Sequence, residues 1–297
     1  MRDPRFDGVI TALVTTYDKN GEVEPNALKK HTNFCIEGGV NGVLACGGSG
    51  QYVNMTKAQR ETTVKTVVEA AAGRVPVVAG VLEPGLGEAV ENAKIALGAG
   101  ADALLITPPY YVRPTQEGIY DYYAALYSKL NAPIIAYNFP GRLGTLIEPS
   151  TMAKMMREIP GIVADKECTD YTQFLDTVRQ VGDDGAVLCG SDLEFADQVL
   201  AGAKGGVLAA SCILPNVYAK IWKLAKEGSC KEAHELSFKY FTLIQSLFVG
   251  MKHPAPTKMA MELMGQEIGE WVVPVNKPDD AHCELLRREL GKHGLLA

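Results

Sequence analysis

Residues 205–211, GGVLAAS, form an apolar run long enough for one strand, opened by two glycines and closed by a hydroxyl. Seven runs of the same kind precede it: VITALVTT (9–16), NGVLACGG (41–48), VPVVAGV (75–81), ADALLITPP (101–109), APIIAYNFP (132–140), GIVADKE (161–167) and GAVLCGSD (185–192). Each is apolar along its length rather than alternating, the pattern of a strand covered on both faces. Their starts lie about 20 to 34 residues apart, room for one strand and one crossover helix. With GGVLAAS the count reaches eight, which predicts a closed (β/α)8, or TIM, barrel. An open doubly wound sheet is the alternative, because strand number alone does not prove closure.

The intervening segments read as helices, among them 26–37 and 56–72. Thr56 and Gln59 have the spacing of a capping box, and Gly38-Gly39 marks a helix end. The stretch 83–88, EPGLGE, reads as a loop after the third strand. Beyond Ser211 the strand signal stops, and 217–290 reads as about four helices. The expected organisation is a barrel over 1–215 and a helical region over 216–297 packed on it.

A chain of 297 residues with 47% hydrophobic and 22% charged residues has ample material for a core. Its net charge of −6 disfavours nucleic-acid binding, which needs clustered Lys and Arg, and suggests a small-molecule ligand. The first eight residues, MRDPRFDG, lack the apolar centre of a signal peptide, and no run approaches the roughly 18 apolar residues of a membrane helix. A cytoplasmic protein is expected. Seven scattered cysteines without a C-x-x-C pair read as free thiols. Cys168 is a weak candidate nucleophile, and no histidine falls at a strand end to support a metal site.

In a barrel the chemistry lies where strands end. Tyr137 and Lys166 are 29 positions apart, one strand-helix-strand unit, which places them at one height on neighbouring strands. Burial of a lysine amine predicts a lowered pKa and a nucleophile toward a ketone, with the phenol as proton shuttle. The competing reading pairs Lys166 with Asp165 or Glu167 and packs Tyr137 in the core. Gly47-Gly48-Ser49-Gly50 is either an ordinary loop or a cradle of N–H groups for a carboxylate; it lacks the P-loop lysine and the G-x-G-x-x-G spacing. Arg142 is either a solvated charge or a bidentate carboxylate clamp.

These residues together resemble the pyruvate-dependent class I aldolases and lyases that include dihydrodipicolinate synthase and N-acetylneuraminate lyase. The likeness runs from TALVTTY at Thr11 to HPAPTK at His253, through PPYYVRPTQEG (108–118), YNFPGR (137–142), VADKE, GSD (190–192) and GGVLAAS. The resemblance implies a homotetramer built as a dimer of dimers, no cofactor, and an imine between Lys166 and pyruvate. Gly48, Ser49 and Gly50 would bind the pyruvate carboxylate, with Gly190 beside the substrate, and Arg142 would bind a second carboxylate. Tyr137 would move protons, Tyr111 would reach a neighbouring subunit's site, and the Leu208 carbonyl would orient the lysine. The pattern departs from the synthases where two loop threonines are Gly48 and Ser49 and a glutamate is Gln51, so the proton relay would pass through Ser49, water or substrate. Condensation of pyruvate with aspartate semialdehyde is the leading reaction. An aldolase or dehydratase of a 2-keto-3-deoxy sugar acid or a 4-hydroxy-2-oxo acid is the alternative, and a non-catalytic metabolite sensor is an alternative of another class.

Overall fold

The computed structural model describes residues 2–297. Eight parallel strands alternate with helices from the N-terminus onward: β1 Gly8–Ala12, α1 Pro25–Glu37, β2 Gly42–Ala45, α2 Lys57–Ala71, β3 Val77–Val81, α3 Leu86–Gly98, β4 Ala103–Ile106 and α4 Gln116–Leu130. The second half continues with β5 Ile134–Asn138, α5 Pro140–Leu143, α6 Pro149–Glu158, β6 Ile162–Glu167, α7 Tyr171–Val181, β7 Ala186–Cys189, α8 Phe195–Leu200 and β8 Gly205–Leu208. The strands pair in sequence order, and β8 closes on β1 with Gly8 beside Gly205 and Thr11 beside Leu208. GGVLAAS is therefore the closing strand, and the open sheet is excluded. Every residue of the eight strands is buried, as their unbroken apolar character requires when side chains fill the barrel on one face and meet helices on the other.

Local chemistry sets the helix ends. Thr56 accepts from the Gln59 amide while the Gln59 side chain accepts from the Thr56 amide, so the capping box forms. Thr115 and Asp170 cap α4 and α7 in the same way at one end only. The stretch 83–88 is a loop only to Gly85, the N-cap of α3; glycine is tolerated at an N-cap, and Leu86 turns inward to start the helix.

After β8 the chain forms α9 Pro215–Lys226, α10 Cys230–Lys239, α11 Phe241–Ser246, α12 Ala255–Leu263 and α13 Asp280–Gly291. That is five helices where about four are expected, because Tyr240 ends α10 and at the same point begins α11. Helix α9 packs back on β1, as the eighth crossover helix of a barrel does, while α11 and α12 pack against α13. Among the described residues no helix is long and apolar enough to cross a membrane.

Candidate active site

Strand register decides what shares the barrel mouth. At the start of the β5–β6 pair Ile134 lies beside Ile162, and an irregularity then moves the offset by one residue, so that Tyr137 lies beside Lys166 and Asn138 beside Glu167. Neighbours in a parallel ladder point to the same face. Tyr137 and Lys166 point into the barrel and Asn138 and Glu167 outward, the outward pair joined by an amide-to-carboxylate bond of 3.2 Å. The Lys166 ammonium lies 4.4 Å from the centre of the Tyr137 ring. Asp165 and Glu167 also lie on the outer face, away from the lysine. The ion-pair reading of Lys166 fails for this reason: among the described residues no carboxylate forms a salt bridge with it.

Lys166 and Tyr137 line a cavity of about 340 Å³ together with Gly48, Ser49, Arg142 and Gly190, a volume suited to a small metabolite. A second chamber of about 400 Å³ shares Gly48, Tyr137, Phe139, Arg142 and His253 with the first and extends past Thr107 to Pro274 and Val275. Two glycines make the approach of these parts possible. A side chain at Gly80 on β3 would collide with the Cys46 carbonyl and lift the 47–50 loop away, and one at Gly190 would collide with the Cys168 sulfur.

In the loop, Gln51 and Tyr52 donate to the Gly48 and Gly47 carbonyls. Among the described residues, neither the Ser49 nor the Gly50 amide donates to a backbone carbonyl. Two N–H groups are thus left for an anion, beside a half-buried Gly48 without a side chain. The Arg142 guanidinium sits across the mouth, 5.4 Å from the Phe139 ring centre, with no carboxylate partner among the described residues. A Cβ on Gly48 would meet Arg142 Nη1 at an ordinary contact of 3.7 Å, so a small side chain would fit there without a clash.

Gly50, Leu208 and Tyr111 do not line the lysine cavity. Gly50 is buried with its amide free of a backbone acceptor among the described residues, and its carbonyl accepts from Thr15 Oγ1 at 2.9 Å. Leu208 is fully buried, and its carbonyl accepts from the Ser211 hydroxyl at 2.9 Å; its neighbours Val207 and Ala209 line the chamber instead. Tyr111 is 94% exposed and lines neither chamber. Cys168 lines the cavity, but burial pushes its thiol up to about 12, so it is no thiolate at neutral pH.

Electrostatics correct one expectation. Burial does pull the Lys166 pKa down, but the ionised forms of Tyr137 and Cys168 and the Asp192 carboxylate outweigh it, and the net direction is upward. Burial raises Tyr137 as well, so the resting pair at neutral pH is ammonium plus phenol. Asp192 also lines the chamber; burial pushes it up to about 6, while its Oδ1 accepts from the Ala210 amide at 2.7 Å. Sequence reasoning gave His253 no role in the site, although HPAPTK marks the end of the family likeness. It comes from the segment before α12, and its Nε2 is 2.9 Å from Ser49 Oγ. The only sequence signal is a histidine set against proline in HPAP, far from any strand end.

A lysine and a phenol side by side at the carboxyl mouth of a (β/α)8 barrel, opposite a loop of free amides, define a lyase of the class I aldolase type. The model of the dihydrodipicolinate synthetase family matches residues 5–291, and the chain belongs to that family. It is 34% identical over 292 residues to a 4-hydroxy-tetrahydrodipicolinate synthase of Syntrophus aciditrophicus, with 98% of this chain and 99% of the relative covered. It superposes with a TM-score of 0.93 and 31% identity on a dihydrodipicolinate synthase of Acinetobacter baumannii solved with pyruvate, over 98% of this chain and 99% of that one. It also superposes with a TM-score of 0.95 and 30% identity on a monomeric dihydrodipicolinate synthase variant, over 99% of each chain.

Proposed function

We propose that this enzyme joins pyruvate to Lys166 as an imine and condenses it with aspartate semialdehyde, as a 4-hydroxy-tetrahydrodipicolinate synthase does. The observation that carries the reading is the Tyr137–Lys166 register at the cavity wall. Once Lys166 has given up its proton, its Nζ attacks C2 of pyruvate, and the carbinolamine loses water to a protonated imine. That cation draws electrons from the pyruvate methyl group, which loses a proton and becomes an enamine. The enamine carbon attacks the aldehyde, Tyr137 supplies a proton to the new alkoxide, and the amino group of the former semialdehyde attacks the regenerated imine carbon, closing the ring and releasing Lys166. The imine is itself the electron sink, so the reaction as proposed uses no resident cofactor.

Ser49 and the free loop amides hold the pyruvate carboxylate, and Arg142 clamps the carboxylate of the aldehyde in bidentate fashion. The favoured acceptor carries a carboxylate because Arg142 faces the shared mouth with no carboxylate partner among the described residues. Steady-state kinetics with pyruvate test this directly. Aspartate semialdehyde is expected to turn over with the highest kcat/KM, and a clear preference for an uncharged polyhydroxy aldehyde would replace the synthase reading with that of a sugar-acid aldolase.

The assembly we propose is a homotetramer in which Tyr111 reaches a neighbouring site; its near-complete exposure beside the exposed Val112 supports that reading. The compartment we propose is the cytoplasm, in keeping with seven cysteines that are all free.

A further inference from the structure

We propose that His253 is a positioning residue that holds the Ser49 hydroxyl with its hydrogen aimed into the lysine chamber, as donor to the substrate carboxylate. This rests on the reading of that chamber as a pyruvate site.

His253 borders both chambers, and its ring stacks on Phe248 at 5.5 Å between centres. It has a polar partner at each end: Ser49 Oγ 2.9 Å from Nε2, and Thr257 Oγ1 3.3 Å from Nδ1. Thr257 is fully buried on α12. Burial and the positive charges of Arg142 and Lys166 push the imidazole pKa down to about 3, so the ring is neutral at working pH. A neutral ring carries one N–H and one lone pair, which leaves two arrangements.

If Nε2 accepts the Ser49 hydrogen, Ser49 presents only lone pairs to the chamber, and these repel a carboxylate. If Nε2 carries the hydrogen, it donates to Ser49 Oγ, and the hydrogen of Ser49 is free to bind the substrate. Nδ1 then accepts from Thr257. The donors run in one direction, Thr257 to His253 to Ser49 to carboxylate, and each meets an acceptor. An anion in the chamber selects that tautomer. A ring present only for packing would not need polar partners at both nitrogens.

Borohydride trapping measured against pyruvate concentration tests the assignment. His253→Leu and Ser49→Ala are each expected to raise half-saturating pyruvate on the order of tenfold, the loss of one hydrogen bond to a charged group. The double variant should lose no more than either single one. His253→Gln places an amide N–H2 near the position of Nε2 and should recover most of the binding. Trapping of hydroxyacetone, a ketone without a carboxylate, should be unchanged throughout. If His253→Leu does not fold by circular dichroism, His253→Asn, whose amide stops short of Ser49, takes its place with the same expected loss. Equal behaviour of the Gln and Leu (or Asn) variants, multiplied losses in the double variant, or an equal loss with hydroxyacetone would overturn the assignment in favour of packing. Wild-type protein that pyruvate does not trap overturns the functional reading itself, whereas trapped wild type with an insensitive His253→Leu overturns this inference alone.

Discussion

At neutral pH Lys166 is an ammonium, and an ammonium has no lone pair with which to attack a carbonyl carbon. The proposed imine route therefore requires the site to take a proton from it and later to favour a cation in the same place. Tyr137 and Cys168 are neutral at that pH, which leaves Asp192 as the charged group among those that raise the lysine. With its pKa pushed up to about 6, Asp192 loses its charge below that pH and with it the ability to stabilise the imine cation. The expected pH profile of kcat/KM falls on the acid side near pH 6; Asp192→Asn should lower the plateau and flatten that fall. An unaltered acid limb in the Asn variant would assign it to another group. Tyr137→Phe keeps the ring beside Lys166 but removes the proton it moves, and kcat should drop by roughly 10² to 10⁴. Stopped-flow or steady-state rates near wild type would remove Tyr137 from proton transfer.

Strand β6 turns Lys166 to the cavity on one face and a buried acid pair to the helix layer on the other. Lys166 faces the cavity, while Asp165 and Glu167, 0% and 1% exposed, face the helix layer, where Glu167 also accepts from Asn138 and Thr177 at 3.2 Å. Burial, and for Asp165 the neighbouring Glu167 charge, raise both carboxyl pKa values above the ordinary range. The sign follows from proton uptake: above the unfolded carboxyl range the folded protein holds more protons than the unfolded one. The associated stability is full at low pH and is lost as pH rises through the folded values, at about 1.4 kcal/mol per pH unit for each retained proton. Denaturant unfolding at several pH values should show Asp165→Asn with a shallower decline than wild type toward alkaline pH. Parallel declines would mean that the pair does not share a proton. The element scale is also where the fold was most legible. All eight strands could be read because their residues are buried on both faces, and the Thr56 box because its partners are three residues apart. The α10–α11 division at Tyr240 was not legible, since a kink without Pro or Gly has no local signature.

Across the whole molecule, the site draws on segments more than 200 residues apart: Ser49 and His253 meet only once the region after the barrel has packed over the mouth. Sequence reading placed Lys166, Tyr137, Ser49, Gly190 and Arg142 at strand ends, because a barrel gathers strand ends by construction. It could not place His253, which lies on no strand, nor the charge balance at Lys166, which depends on Asp192 just past the next strand. The exposed side chains of Tyr111, Val112, Val53 and Val273, each at least 67% accessible, extend the same logic beyond one chain. Sedimentation velocity at micromolar concentration is expected to give four subunits, and Tyr111→Phe should slow turnover while leaving pyruvate trapping intact. A fully active monomer would remove Tyr111 from the reaction.

Everything in the chemistry passes through one covalent bond, and intact-protein mass spectrometry after borohydride reduction with pyruvate observes it most directly. A single stable adduct per chain is expected, located on the peptide containing Lys166 and absent from Lys166→Ala. An adduct on another lysine, or none on folded wild-type protein, would contradict it.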